Sequence, residues 1–381
     1  MSDVVILGIG WTPPRPISPE VSYREMIHEA AVRAYRDAGI SPDEIGTFVT
    51  CAEDFNEGTS IFDEYTPDQL GAVLKPVHTV GGDGLHGVAD AMMQIRTGMF
   101  DVAVVEAHSK ASNLLTKAGV LDYALDPVLQ RPLGTDPEFV AGLEMSAWQA
   151  ATGTSAADCA GVAVKNRGNA LDNAHGAHGA ALTIEDVLAS EPTCAPLTRL
   201  QHAPFSDMAA VVVLGSARRA KKAKRPPVRL LGAGWGNGAP SLESRDWVGA
   251  DYARASAARA LKQAGIRDVR KGIDLFEVDD TYAFKELQHL EALGLYRPGR
   301  AGPATRAGET ARDGRHPVNP SGGSLGMGQM MEGTGLFRVV EAVRQLRGEA
   351  GGAQVKGAQT ALILSWRGVP TTSGACAILG V

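Results

Sequence analysis

Aromatic side chains supply only 6% of this 381-residue sequence. That scarcity excludes a core built around large rings, so Ala, Val, Leu and Ile must pack closely among 45 glycines. Such packing suits stacked α/β layers. Cysteine is sparse too: Cys51, Cys159, Cys194 and Cys376 show no CxxC spacing, which excludes a zinc ribbon or a disulfide framework and fits a reducing, cytoplasmic setting. Positive charge is not in excess. A formal net charge of -6 leaves no electrostatic footprint for DNA or RNA, and the one basic run, Arg218 to Arg225, reads as a solvated linker. The opening MSDVVILGIG has no basic leader and too short an apolar run before Gly8 for a signal or a membrane span.

What is present is an internal repeat. Leu7, Gly8, Gly10 and Trp11 match Leu231, Gly232, Gly234 and Trp235, and AGI recurs at 38–40 and 264–266. Each opening strand is followed by an Ala-rich helix with apolar residues three and four apart, closed by a glycine. Later, AMMQIRTGMFDVAVVEA (91–107) corresponds to EAVRQLRG and TALILSW (341–348 and 360–366). Runs such as VAVV and ALIL, without alternation, predict strands covered on both faces. The fold expected is α/β: two duplicated βαβαβ-type halves, 1–217 and 226–381, in an α/β/α/β/α stack. The first half carries an inserted loop domain at about 110–200, rich in Pro, Gly, Asn and His.

Several phrases resemble the thiolase superfamily, and within it the sterol-carrier-protein-X and lipid-transfer-protein type. They are VKNRGNALDNAHG (164–176) with LTIEDVLAS (182–190), HAPFSDMAAVVVL (202–214), and HPVNPSGGSLGMGQMMEGTGLFRVVEAVRQLRG (316–348). In that family a cysteine at a helix N-terminus takes the acyl group, while histidines handle protons. Here the nucleophile motif falls on Gly81-Gly82-Asp83-Gly84. The three other catalytic motifs fall on Asp279-Asp280-Thr281-Tyr282, on Gly328-Gln329-Met330 and on Ser365-Trp366-Arg367-Gly368. Glycine has no side chain to acylate, so a cysteine acyl-enzyme cycle is excluded. Cys51 lies elsewhere and reads as a buried structural thiol.

The resemblance implies an acyl-CoA substrate, coenzyme A entering as part of it with no covalently bound cofactor and no metal. Relatives without the cysteine work as aldolases on β-hydroxyacyl-CoA side chains of steroids. Retro-aldol cleavage needs a base and an enolate-stabilising donor, with no nucleophile. Asp279 and Asp280 are candidate bases, of which only one faces a pocket if the strand continues. Tyr282 and His86 are further candidates, Asp83 flanks the old nucleophile position, and Gln329 can donate a hydrogen bond but not shuttle a proton. Gly81, Gly322, Gly323 and Gly328 are expected to let ligand approach the backbone. An open pocket beside Gly81, bordered by an ionisable residue from 279–282, is expected. Arg367 paired with Asp279 across it would instead favour a non-catalytic subunit partnering a Cys-bearing thiolase. An acyltransferase with an unconventional mechanism is a third reading. The resemblance also implies a homodimer or a heteromer with another thiolase-like chain, and a small zinc-ribbon and OB-fold partner.

Overall fold

The computed structural model describes residues 3–53, 62–114, 125–134 and 136–381. Nine strands form one mixed sheet: Val4–Trp11 (β1), Thr47–Cys51 (β2), Val77–Val80 (β3), Val102–Ser109 (β4), Met208–Ser216 (β5), Val228–Asn237 (β6), Leu275–Val278 (β7), Thr360–Trp366 (β8) and Ser373–Gly380 (β9). Their order is β3-β2-β4-β5-β1-β6-β9-β8-β7. The helices that matter here are Tyr23–Ala38 (α1), Gly84–Arg96 (α2), Pro137–Thr152 (α3), Ala156–Leu171 (α4), Asp251–Ala264 (α5), Ala283–Ala292 (α6), Gly323–Met327 (α7) and Gly333–Leu346 (α8).

The repeat in the sequence is a repeat in topology. In the first half β2 runs parallel to β3 and β4, and β5 runs antiparallel to β4 and β1. In the second, β7 runs parallel to β8, while β9 is antiparallel to β8 and β6. A single parallel bridge from Phe276 to Val318 takes the place of β3. The halves join where Val4–Ile6 pairs antiparallel with Val228–Leu230.

Strand side chains alternate between separate cores, because successive residues point to opposite faces. Val5, Leu7, Phe48, Val104 and Val213 pack under α1 on the outside of the first half. Val105, Val212, Ile363 and Ala377 face inward onto α2 and α8, with Leu85, Val88, Leu336 and Val339 between the two halves. Phe276, Leu362, Leu364 and Ile378 face α5 and α6 on the far side. These cores define five layers, α/β/α/β/α. Each fully buried Val, Leu or Phe contributes roughly 1.5–3 kcal/mol, and α8 is buried along its whole length. That is why VAVV and ALIL show no polar alternation: both strands are covered on both faces.

Between β4 and β5, the stretch read from composition as loop contains two 16-residue helices, α3 and α4. Asp136 caps the first, and Ser155 and Asp158 form a capping box on the second. Small residues such as Ala160, Ala163 and Ala170 let α4 lie close to its neighbours. Val140, Met145 and Trp148 of α3 share the outer core of the second half with Phe284 and Leu287.

Candidate active site between the two halves

The chain leaves β3 through Gly81 and Gly82, and Asp83 then caps α2. Its Oδ1 accepts the N–H of Leu85 at 2.8 Å and the hydroxyl of Ser365 at 2.7 Å, and its Oδ2 accepts the N–H of Gly335 at 2.7 Å. Gly84 N–H donates to the Glu332 carbonyl at 2.7 Å. One carboxylate thus serves the N-termini of two helices, where the dipoles favour negative charge. Burial nonetheless lifts its pKa to about 6. Asp83 is a bracket between the halves rather than a group open to substrate.

Gly81 is different. A Cβ built there meets nothing within 4 Å. The glycine opens on a cavity of about 290 Å³ also lined by Val80, His86, Asp90, Met93 and Arg367. Here the structure departs from the expected pocket: its ionisable lining comes from His86, Asp90 and Arg367 and not from 279–282. Arg367 does not pair with Asp279 either. Its Nη1 donates to the Gly81 carbonyl at 3.0 Å, and its Nη2 pairs with Glu53. The guanidinium is therefore held beside Gly81 by Glu53, a residue that carries no sequence signal. Neither ring nitrogen of His86 has a hydrogen-bond partner among the described residues, and burial pushes its pKa down to about 4, leaving a neutral imidazole. Cys51 lies beneath α2, where a Cβ on Gly87 would fall 2.3 Å from its Sγ. Burial raises the thiol pKa well above its usual value, so it is packing rather than a reagent.

After β7 the two adjacent aspartates part company. Asp280 is saturated: Oδ1 accepts Ser324 N–H at 2.6 Å and Arg338 Nη2 at 2.7 Å, while Oδ2 accepts Asn166 Nδ2 at 2.7 Å and Leu325 N–H at 3.2 Å. That network makes it an anchor for the 319–327 turn, which corrects its reading as a base. Asp279 has one oxygen to spare. Its Oδ1 accepts Thr281 N–H at 3.0 Å, whereas Oδ2 is buried with no partner among the described residues. Burial raises this carboxyl to about 6, against the opposing field of Arg338. Its main-chain carbonyl accepts Nδ1–H of His289 at 2.9 Å, and the Tyr252 hydroxyl donates to Nε2 of the same ring at 2.8 Å. Burial holds His289 far below its usual pKa, consistent with this neutral tautomer.

The 322–328 glycines also read differently in three dimensions. A Cβ on Gly323 would lie 2.2 Å from Asp280 Oδ2, one on Gly322 would strike Ala170, and one on Gly328 would strike Ser206 Oγ. The N–H groups of Gly322 and Gly328 already donate to the carbonyls of Asn319 and Ser324. Glycine is needed here for protein to approach protein, not for a ligand. Tyr282 packs as an aromatic, its ring 4.6 Å from that of His202 and 6.2 Å from that of Trp366. Gln329 is half-buried, with its main chain bonded to Pro204 and Ser206. Its Nε2 stands 4.0 Å from where a Gly368 Cβ would be, which brings Gln329, Gly368 and Arg367 to the same end of the sheet as Gly81. Among the described residues, no cluster of three His, Cys, Asp or Glu side chains is placed to hold a metal ion.

The five-layer duplication with helix N-termini meeting at its centre is the thiolase fold. Residues 238–381 match the family model "Thiolase C-terminal domain-like". The chain is 29% identical to an acetyl-CoA acetyltransferase of Methanothermobacter thermautotrophicus over 94% of both proteins. It is 28% identical to sterol carrier protein 2 of Bos taurus, over 94% of this chain and 69% of that one. Among solved structures it superposes on "Ltp2-ChsH2(DUF35) aldolase" with a TM-score of 0.85 and 25% identity, covering 100% of this chain and 98% of that one. The chain thus carries the thiolase fold, and along almost its whole length it is similar to an acetyl-CoA acetyltransferase and to sterol carrier protein 2.

Proposed function

We propose that this protein is a Cys-independent carbon–carbon lyase acting on a bulky β-hydroxyacyl-CoA thioester, such as one with a steroid side chain. The observation that carries the reading is Gly81, which leaves the nucleophile position without a side chain while keeping open space in front of it. In the proposed step a base takes the substrate hydroxyl proton, and Asp279, buried outside the lining of the Gly81 cavity, is the candidate because its Oδ2 has no partner among the described residues. The Cα–Cβ bond then breaks, its electrons forming a thioester enolate as the hydroxyl carbon becomes a carbonyl. The Gln329 amide donates to the enolate oxygen, and return of the proton to the α-carbon completes a balanced reaction with no co-substrate. The likeness to the solved structure of an Ltp2-ChsH2(DUF35) aldolase supports this reading.

A second reading, a non-catalytic subunit of a thiolase-like heteromer, is favoured by Arg367 and Glu53 at the nucleophile position and by the depth at which Asp279 is buried. The Ltp2-ChsH2(DUF35) aldolase includes a DUF35 component, which supports a heteromeric partner here, the small zinc-ribbon and OB-fold protein being the candidate. The strand β3 lies at the sheet edge and offers unpaired backbone groups to a second thiolase-like chain.

Mass-spectrometric analysis of CoA esters after incubation with β-hydroxyacyl-CoA and β-ketoacyl-CoA panels, with and without free CoA, separates these readings. Cleavage of a hydroxyacyl thioester without free CoA, abolished in Asp279→Asn, is the result expected. CoA-dependent thiolysis would overturn the lyase assignment, and no turnover by the chain alone, with turnover by its complex with a Cys-bearing thiolase homologue, would favour the non-catalytic subunit.

A further inference from the structure

A second cavity, about 440 Å³, lies between α4 and the 193–205 segment. Leu200, Pro204 and Phe205 give it an apolar wall, and Arg167, Arg199 and Glu138 give it a charged one. The segment that forms it also touches the candidate active site. Ala203 N–H donates to the Thr281 carbonyl at 2.8 Å, His202 stacks on Tyr282, and Phe205 bridges to Gln329.

Arg167 is the unusual member. It is only 7% exposed, and its guanidinium is held by nothing better than two 3.4 Å hydrogen bonds, to the carbonyls of His178 and His202. Its Nε has no partner, and among the described residues no carboxylate lies within ion-pair distance of it. Asp280, whose charge acts on Arg167, and Glu138, which lines the same cavity, are both committed elsewhere. Asp280 is bound to Arg338 at 2.7 Å, and Glu138 pairs with His202 Nδ1 at 3.3 Å. A buried cation without a counter-charge costs several kcal/mol, a cost that an anion entering the cavity offsets. A planar guanidinium with free N–H groups suits a carboxylate, and the apolar wall suits a carbon chain leading to it.

We propose that this cavity binds a carboxylate carried on the acyl group of the substrate, with Arg167 as its counter-ion. The protein then selects thioesters of dicarboxylic acids over their monocarboxylic counterparts. The inference rests on the acyl-CoA reading above and narrows its substrate class.

The test compares equilibrium binding of glutaryl-CoA, valeryl-CoA and free CoA to the full chain and to Arg167→Gln, together with the effect of glutarate alone on thermal unfolding. The wild-type chain is expected to bind glutaryl-CoA roughly tenfold or more tightly than valeryl-CoA, the strength of a charge-assisted hydrogen bond. Arg167→Gln is expected to abolish the preference while leaving valeryl-CoA affinity unchanged, which also shows that the variant is folded. Glutarate should raise the unfolding temperature of the wild type only. Arg167→Lys, which keeps the charge without the planar fork, should retain a smaller preference. Equal wild-type affinities for the two thioesters would overturn the proposal. So would equal weakening of valeryl-CoA and free CoA by Arg167→Gln, because Arg167 would then hold the coenzyme's phosphates. If neither thioester binds but glutarate stabilises the wild type alone, the acyl-CoA reading falls and the carboxylate site stands. If glutarate has no effect either, both fall.

Discussion

Asp83 and Gly335 are 252 residues apart in the chain, yet the carboxylate Oδ2 of the first accepts the N–H of the second at 2.7 Å. The contact joins the start of α2 in one half to the start of α8 in the other. It also explains why position 335 is glycine, since a Cβ there would lie 1.8 Å from Asp83 Oδ1. Gly335→Ala is therefore expected to destabilise the protein by about 3 kcal/mol, the upper end of ordinary overpacking. Asp83→Asn should cost about 1–3 kcal/mol, because in either amide orientation an NH₂ group faces a buried N–H donor. Urea unfolding of both variants measures this, and an unchanged midpoint for Gly335→Ala would contradict the contact.

The Gly81 position makes the opposite prediction. With open space in front of it, Gly81→Cys should fold with stability within about 0.5 kcal/mol of the wild type. Cys51, Cys159 and Cys376 are buried and Cys194 is half-buried, so a native thiol titration should find at most one rapidly reacting equivalent. The variant should add one more. It should still lack CoA-dependent thiolysis, because Gln329 cannot pass a proton as an imidazole does. A gain of thiolase turnover from this single change would show that the missing cysteine was the only barrier.

Asp279 should give the protein a recognisable pH dependence. Its carboxyl holds a proton up to about 6 in the folded chain, against 3.8 for an ordinary aspartate. Between those values unfolding releases the proton, so the group's contribution to stability falls as pH rises from about 4 to 6 and stays low above that. Asp279→Asn removes the titration. The stability of the variant relative to the wild type should rise by up to about 3 kcal/mol between pH 4 and pH 7. Denaturant unfolding at those two pH values reads the difference, and a pH-independent difference would show that Asp279 is not held protonated. Lyase turnover should be lost in the same variant.

Asp280, its neighbour, should behave as structure. Asp280→Ala leaves Arg338, only 1% exposed, without its principal carboxylate and frees two backbone N–H groups of the 319–327 turn. A loss of about 3–5 kcal/mol is expected, enough to threaten folding. Thermal unfolding of the two single variants compares them directly. Equal, small losses would contradict the division of roles between these adjacent acids.

The sequence by itself determined the layered α/β plan and the duplication, and it puts glycine at 81, where the family resemblance implies the nucleophile. Those features rest on local pattern: unbroken apolar strands, glycine-closed helices, and residue types at motif positions whose chemistry is intrinsic to the side chain. Glycine at 81 cannot be acylated in any environment. The tertiary structure alone decided which side chains meet. Asp279 and Asp280 are adjacent and identical in type, but the turn after β7 sends one to a saturated cluster around Arg338 and leaves the other an unpartnered oxygen. Arg367 was legible as a charge, whereas its partner Glu53, far away in the chain, was not. The glycines at 322, 323 and 328 looked like a ligand cradle and instead admit Ala170, Asp280 and Ser206. Arg167 stood in plain view within VKNRGNALDNAHG, yet burial without a counter-ion is a property of its surroundings. Hydrogen bonds and ion pairs act over a few ångströms in space, and separation along the chain does not encode them.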